Sequence, residues 1–266
     1  MRVLSSALLT SLLFLLGCGP NTSRTTTHST EGLSREQAGK TTFTLVIQSA
    51  DWLFPSAAQG SGVIIDERDG YLLAVTNLHN LGLDQLAGRW FQRDLTRFDA
   101  SVVYHNQTMG QVQEFGMIHP YLDLAFLSIP KGEARLGREY EIAVIDDTLD
   151  VRPGDPVLAI GSPVGLPNTF TRGYLSAIRD EPLTEDVSLR YLQTDAALNP
   201  GNSGGPLFYE EDDRYFWIGV NTFIRIDTEG LNFAIHYSGL SLGEPAWYPI
   251  SPEGATDAVA VFKELE

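Results

Sequence analysis

The sequence predicts an all-β fold of antiparallel strands that ends in a short C-terminal helix. From residue 43 onward, short segments rich in β-branched and aromatic residues are separated by Gly, Pro, Asn and Asp. The best helical candidate is the C-terminus, where Ser251 can cap a first turn that contains Pro252. Many short strands with little helix favour an antiparallel barrel or sandwich over a sheet built from βαβ units.

The candidate strands are each about five residues long. They are Phe43–Ile47, Gly62–Ile65, Tyr71–Val75, Ser101–Tyr104, Leu124–Ile129, Pro156–Ile160, Gly173–Ile178, Arg190–Thr194, Phe216–Val220 and Leu231–Ile235. Two turns, Asp69-Gly70 and the acidic run Glu210–Asp213, are predicted to join strands into hairpins. The acidic run lacks the alternating ligand spacing of a calcium loop, so we expect no metal site there, and we expect no cofactor.

The composition is that of a globular protein with an acidic surface. The 266 residues include 18 Lys and Arg against 34 Asp and Glu, which gives a formal net charge of −16. A nucleic-acid partner is not expected, because such domains carry a basic patch that meets the phosphates. The normal apolar content of 43% is enough to bury a sizeable core.

The N-terminus has the pattern of an export signal. Arg2 is followed by an apolar stretch, Val3–Leu16, which is shorter than the roughly 20 residues that span a bilayer. The stretch ends in Leu-Leu-Gly-Cys, which resembles the lipobox of bacterial lipoproteins. That resemblance implies a signal peptide over residues 1–17 and a lipidated Cys18. The alternative is an ordinary cleaved signal with a chance cysteine. The residues from 19 to about 41 are mostly Thr, Ser, Gly and charged residues, which predicts a flexible tether. Since Cys18 is the single cysteine, an intramolecular disulfide is excluded.

A serine between glycines is the strongest chemical signal in the sequence. In Asn199-Pro200-Gly201-Asn202-Ser203-Gly204-Gly205, the glycines allow a tight turn that presents the Ser203 hydroxyl. Gly201 allows its N–H to turn inward beside the N–H of Ser203. The two amides would then form an oxyanion hole for charge that develops on a substrate carbonyl oxygen.

A serine hydroxyl needs a base, and a suitable base and carboxylate precede it in the chain. His79 follows a predicted strand, and Asp123 lies among apolar neighbours that would bury its carboxylate against the imidazole. The order His, Asp, Ser is that of the two-barrel proteases rather than of subtilisins or α/β-hydrolases. Asp195 is interpreted as a structural hydrogen-bonding residue, and the other histidines are interpreted as structural.

At these residues the chain resembles the trypsin-like serine proteases, and among them the HtrA/Deg group of bacterial envelope proteases. The matching segments follow one another in the family's order, from Gly60-Ser61-Gly62-Val63-Ile64 to Phe233-Ala234-Ile235. The resemblance implies a protease domain over residues 42–266 with two six-stranded antiparallel barrels, at about 42–135 and 150–240. His79 and Asp123 would lie in the first barrel and Ser203 in the second. Only 30 residues follow His236, so no PDZ domain is expected.

The same resemblance implies a serine endopeptidase that cuts unfolded or misfolded envelope proteins through an acyl-enzyme. The alternative is a catalytically silent substrate-binding or chaperone-like module on the same fold. The pocket for the residue before the cut would be formed by Ala197, Leu198, Asn221, Thr222 and Phe223. The implied location is the bacterial cell envelope, on the periplasmic face of the outer membrane where two membranes exist, and a homotrimer is a further implication.

Two features depart from the family pattern. Asn80 stands where relatives usually have an apolar residue after the histidine. The segment between residues 80 and 122 is long and contains Trp90 and Phe91, which suggests an enlarged surface loop.

Overall fold

The computed structural model describes residues 30–50, 55–83, 95–131, 140–163, 166–183, 188–224 and 231–264. The predicted signal peptide, Cys18, Trp90 and Phe91 lie outside these residues. Within them, no helix is both long enough and apolar enough to cross a bilayer.

Two groups of antiparallel strands make up most of the described chain. In chain order the strands are β1 Thr42–Ala50, β2 Pro55–Arg68, β3 Tyr71–Thr76, β4 Arg97–Val103, β5 Met109–Gln111, β6 Glu114–Met117, β7 Ala125–Pro130, β8 Pro156–Gly161, β9 Thr169–Pro182, β10 Ser188–Thr194, β11 Pro206–Glu211, β12 Arg214–Ile224, β13 Asn232–His236 and β14 Ala246–Pro249. The helices are α1 Arg35–Lys40 and α2 Pro252–Glu264, with 3-10 turns at Leu78–Leu81, Pro120–Leu122 and Tyr237–Ser241.

The N-terminal half forms an eight-stranded sheet with the order β14-β6-β7-β3-β2-β1-β4-β5. Asp69 and Gly70 have φ of 47° and 85° between β2 and β3, which gives the predicted hairpin turn its left-handed backbone. The prediction of a closed six-stranded first barrel is not confirmed, because β5 and β14 end the strand order of the described sheet. The C-terminal strand β14 pairs with β6 and enlarges the sheet beyond six strands.

The C-terminal half forms a closed ring of six antiparallel strands in the order β10-β13-β12-β11-β8-β9. Six is the number of strands that the family resemblance implied for this half. The predicted hairpin at the acidic run is present, with Asp212 and Asp213 at φ of 50° and 60° between β11 and β12.

A shared hydrophobic cluster joins the sheet to the barrel. Val75 and Leu124 from the N-terminal half pack in one buried cluster with Phe208, Trp217 and Ile235 from the barrel. Each such buried side chain contributes about 1.5–3 kcal/mol. The cluster therefore holds the eight-stranded sheet and the barrel against each other.

The chain before β1 corrects the expected tether. Leu33 is 5% exposed and pairs through its backbone with Tyr215 of β12. Ser34 starts α1 with a capping box, since its hydroxyl accepts from the Gln37 amide while the Gln37 side chain accepts from the Ser34 amide. Ala38 is fully buried. Residues from Leu33 onward thus belong to the folded domain, and sequence reasoning missed this because one leucine among polar residues offers no periodic apolar pattern.

The predicted C-terminal helix is present as α2. The Ser251 hydroxyl accepts from the Gly254 amide at 3.1 Å, and Pro252 occupies the first turn. Ala255, Ala258 and Val259 are buried against the core of the eight-stranded sheet.

Candidate active site

His79 and Asp123 are in direct contact. Nδ1 of His79 lies 2.9 Å from Oδ2 and 3.0 Å from Oδ1 of Asp123, and the His79 amide donates to Oδ1 at 3.0 Å. His79 follows β3, and Asp123 lies just before β7. These strands pair with Thr76 opposite Ala125, which explains how residues 44 positions apart meet.

Asp123 has a left-handed backbone, with φ of 51° and ψ of 34°. Aspartate is one of the residues that tolerate this region, and the conformation turns its carboxylate back toward the start of the neighbouring turn. The side-chain amide of Asn77 donates to the Asp123 carbonyl at 2.9 Å and so holds this peptide. No signal in the sequence indicates this role of Asn77, because its partner is 46 positions away along the chain.

A third group reaches the carboxylate from the barrel. The hydroxyl of Thr222 donates to Oδ2 of Asp123 at 2.7 Å. Thr222 is only 4% exposed. The sequence predicts that Thr222 lines the substrate pocket, and the structure shows that its hydroxyl forms a hydrogen bond with the Asp123 carboxylate. Nothing in the sequence marks this role, because the partner carboxylate is 99 positions away along the chain.

Ser203 stands on a turn that begins with Asn199. The Asn202 amide donates to the Asn199 carbonyl at 2.9 Å, and Gly201 has φ of 102°. With Pro200 at the second position and glycine at the third, these values fit a type II turn. The Ser203 hydroxyl donates to the Thr222 carbonyl at 2.8 Å. Thr222 therefore contacts the proposed nucleophile through its main chain and the proposed orienting carboxylate through its side chain.

The glycines of the turn are required by space as well as by dihedral angle. A Cβ on Gly201 would lie 2.5 Å from the Ser162 carbonyl oxygen, and one on Gly204 would lie 2.1 Å from the Ser61 carbonyl oxygen. The carbonyl of Gly201 accepts from the Ser61 hydroxyl at 2.6 Å, which in turn accepts from the Ser162 amide at 2.9 Å. Ser61 of the eight-stranded sheet therefore holds the peptide group between Gly201 and Asn202 in place through a hydrogen bond to the Gly201 carbonyl.

The expected pocket residues differ in their surroundings. Ala197 is exposed, whereas Leu198 is 7% exposed and packs in the barrel core. Asn221 is fully buried, and its side-chain amide donates to the Pro206 carbonyl at 3.0 Å. Phe223 is part of β12, and its side chain lies outside the described portion. Of the expected pocket side chains in the described part, only that of Ala197 is open to solvent.

Other polar groups of interest have structural partners. Asp195 accepts from the Tyr174 amide at 2.6 Å, in agreement with the structural interpretation. His236 accepts from the Ser238 amide at 3.2 Å, and burial, with Arg190 nearby, lowers its pKa to about 4. Among the residues described, no group of three or more His, Cys, Asp and Glu side chains is placed to hold a metal ion.

Comparison with known proteins identifies the class. Residues 60–220 match the family model of the trypsin-like peptidase domain, and the chain belongs to this family. Within the family, its relatives are HtrA-type serine proteases. The putative serine protease HhoA of Synechocystis is 37% identical over 184 residues, covering 67% of this chain and 40% of HhoA. A probable periplasmic DegP-like serine endoprotease of Halomonas elongata is 33% identical over 192 residues, covering 70% of this chain and 32% of that protein.

Solved structures agree with this assignment. A serine endoprotease from Yersinia pestis is 27% identical with a TM-score of 0.52, covering 76% of this chain and 60% of that one. A variant of the HtrA-type protease AlgW solved with a tripeptide is 30% identical with a TM-score of 0.55, covering 76% of this chain and 58% of that one. The chain thus spans less than half the length of the two relatives compared by sequence.

Proposed function

We propose that this protein is a serine endopeptidase with Ser203 as nucleophile, His79 as general base and Asp123 as the orienting carboxylate. The observation that carries the proposal is the contact of His79 Nδ1 with both Asp123 carboxylate oxygens, at 2.9 and 3.0 Å. A carboxylate at Nδ1 favours the tautomer that carries its proton there. Nε2 is then left with a lone pair for the serine proton.

We propose the following course for the reaction. The Ser203 hydroxyl leaves the Thr222 carbonyl, gives its proton to Nε2 of His79 and attacks the substrate carbonyl carbon. The developing oxyanion is bound by the amides of Gly201 and Ser203. As the C–N bond breaks, His79 returns the proton to the leaving amine, and an acyl-enzyme remains. Water then attacks the ester, and His79 again accepts and returns a proton. Throughout, Asp123 stabilises the imidazolium, and its own carboxylate is held by Thr222 and by the His79 amide.

We infer that the substrates are unfolded polypeptides bound as an added strand along Asn221–Phe223. Main-chain pairing of this kind accepts many sequences, and extended, unfolded segments offer the free amides that it needs. The expected pocket contains no acidic residue, so small or medium aliphatic side chains fit before the cut.

We also propose that the protein acts in the bacterial cell envelope, held by a lipid on Cys18. The Leu-Leu-Gly-Cys ending of the apolar leader supports this proposal. The similarity to the probable periplasmic serine endoprotease of Halomonas elongata also supports it. Two or more acyl chains suffice for stable anchoring, whereas one is marginal. We expect Cys18→Ser to release the protein from washed membranes, and its retention there would contradict the anchor.

The catalytic proposal is tested by incubating the purified protein with unfolded casein and with a serine-directed fluorophosphonate. We expect cleavage and labelling by the wild type, and a loss of about 10⁶-fold in turnover for Ser203→Ala. Ser176→Ala, at an exposed serine on β9, is the matched control and should behave as wild type. Casein binding without cleavage or labelling would instead identify a silent binding module.

A further inference from the structure

Asn80 links the turn that carries the base to the main chain of the proposed nucleophile. It follows His79 directly and is only 7% exposed. Its side-chain amide donates to the Ser203 carbonyl at 2.8 Å and to the Thr76 hydroxyl at 3.0 Å. Both N–H donors of the Asn80 side-chain amide are thus used in hydrogen bonds within the site.

These bonds belong to a closed ring of hydrogen bonds. The Thr76 hydroxyl donates to the Ser61 carbonyl at 2.7 Å, and the Ser61 amide donates to the Ser203 carbonyl at 2.9 Å. The Ser203 carbonyl therefore accepts from two donors, the Asn80 side chain and the Ser61 main chain. Both donors come from the eight-stranded sheet or the turn that follows β3, whereas Ser203 precedes β11 of the barrel.

Two glycines leave the space that the Asn80 amide occupies. A Cβ on Gly60 would lie 2.5 Å from Cγ of Asn80, and one on Gly204 would lie 2.8 Å from its Nδ2. Any larger residue at Gly60 would press on the amide itself. The surroundings are therefore built around an amide at residue 80.

We propose that Asn80 is a positioning residue that fixes the nucleophile turn relative to the base, an inference that rests on the proposed function. Because His79 and Asn80 are neighbours in one short turn, the bond from Asn80 to Ser203 sets the distance between base and nucleophile through the main chain. Proton transfer needs the two reacting atoms within about 2.6–3.2 Å, and a misplacement of about 1 Å can cost 10²-fold in rate.

Asn80→Leu keeps a side chain of similar size but removes both donors. The Ser203 carbonyl retains the Ser61 amide, so no buried acceptor is orphaned there and the fold should survive. We expect kcat to fall by about 10- to 100-fold with KM changed by less than about threefold. Asn80→Asp, which keeps the shape and in its ionised form cannot donate, should lose at least as much. Full activity in Asn80→Asp would overturn the inference.

A matched control separates positioning from general loss of stability. Thr41 is fully buried, and its hydroxyl donates to the Ala38 carbonyl at 2.8 Å, at the end of α1. Thr41→Val should lower the unfolding temperature and leave kcat unchanged. An equal loss of kcat in Thr41→Val and Asn80→Leu would assign Asn80 to stability alone and overturn the inference.

Amide hydrogen exchange tests whether Asn80 holds the turn that carries Ser203, and this measurement does not depend on catalytic activity. We expect exchange over residues 199–207 to be about five- to tenfold faster in Asn80→Leu than in the wild type, and unchanged in Thr41→Val. If the wild type proves inert while this difference is seen, the positioning stands and the proposed function fails. Unchanged exchange over residues 199–207 in Asn80→Leu overturns the inference, whatever the activity.

Discussion

The hydroxyl of Thr222 donates to Oδ2 of Asp123 across 2.7 Å, although the two residues are 99 positions apart and lie in different halves of the fold. Oδ2 also lies 2.9 Å from Nδ1 of His79. One carboxylate oxygen thus connects the histidine of the N-terminal sheet to the last residues of a barrel strand. Any shift of the barrel against the sheet would be transmitted to this oxygen.

Removing the Thr222 hydroxyl tests how much its hydrogen bond to Asp123 contributes to catalysis. We expect Thr222→Val, which keeps the branched shape, to lower kcat/KM by about tenfold or more, because a hydrogen bond to a charged group contributes about 1.5–3 kcal/mol. Thr222→Ser retains the hydroxyl and should stay within about threefold of wild type. Steady-state cleavage of a quenched-fluorescent peptide measures both. Equal activity of the valine and serine variants would show that the bond has no part in turnover.

Replacement of Gly201 tests the proposed oxyanion hole. Gly201→Ala brings its Cβ to 2.5 Å from the Ser162 carbonyl oxygen at φ of 102°, so the turn and its amide must move. We expect kcat to fall by about 10²–10³, the usual cost of losing one oxyanion donor. Gly154→Ala is the control, since Gly154 has nearly the same φ, 100°, but no atom within 4 Å of the added Cβ. It should lose about 1 kcal/mol of stability and no activity, and a matching loss of kcat in both variants would argue against a local role for Gly201.

Cleavage specificity is predicted from the absence of acidic side chains in the expected pocket. Mass-spectrometric mapping of cuts in a denatured protein should show Val, Ala or Ile before the cut, with soft discrimination, because one methylene is worth about 1–3 kcal/mol. Ala197 is the exposed member of the set, so Ala197→Asp should add cuts after Lys and Arg. A wild-type preference for Lys or Arg would show that the pocket has been misplaced.

Stability toward acid is predicted from His236. Burial lowers the pKa of His236 from 6.5 to about 4. Above pH 6.5 the imidazole is neutral in the folded and the unfolded chain. Between pH 6.5 and 4 the unfolded chain binds a proton that the folded chain does not, so the free energy of unfolding falls as the pH falls.

The expected loss that His236 causes at pH 4 is about 1–3 kcal/mol. Denaturant unfolding of wild type and His236→Gln at several pH values isolates this contribution, because all other titrating groups are common to both. The difference between the two proteins should shift in favour of the variant below pH 6.5 and level off near pH 4. A difference that is independent of pH would contradict the assignment.

Five of the six barrel strands, β8, β9, β10, β12 and β13, could be predicted from the sequence because each contains a stretch of β-branched or aromatic residues next to turn residues. The sixth, β11, was not among the predicted strands. β5 and β6 were missed, since they contain Gly110 and Gly116 and are only three and four residues long. β14 was missed because its pairing with β6 joins residues near 247 to residues near 116. Such long-range pairing leaves no local periodicity, and β14 is one reason why the described sheet has eight strands instead of the six expected.

The residues singled out by motif, His79 and Asp123, are brought together by the pairing of β3 with β7. Thr222 and Asn77 support them but could not be assigned, because a hydroxyl or an amide acquires its role only from the atom it meets. Asn80 was noticed as a departure from the family pattern. Its partner, the Ser203 carbonyl, is 123 positions away and could be identified only once the fold was known.

If Cys18 is lipidated as proposed, the pairing of Leu33 with Tyr215 limits how far the barrel can lie from the membrane. Fifteen residue steps separate Cys18 from Leu33, and a fully extended chain of that length reaches about 50 Å. A protein attached at Cys18 would therefore reach only polypeptides close to the membrane surface. Insertion of additional residues between Cys18 and Leu33 would increase the distance from the membrane at which one anchored molecule can reach a polypeptide.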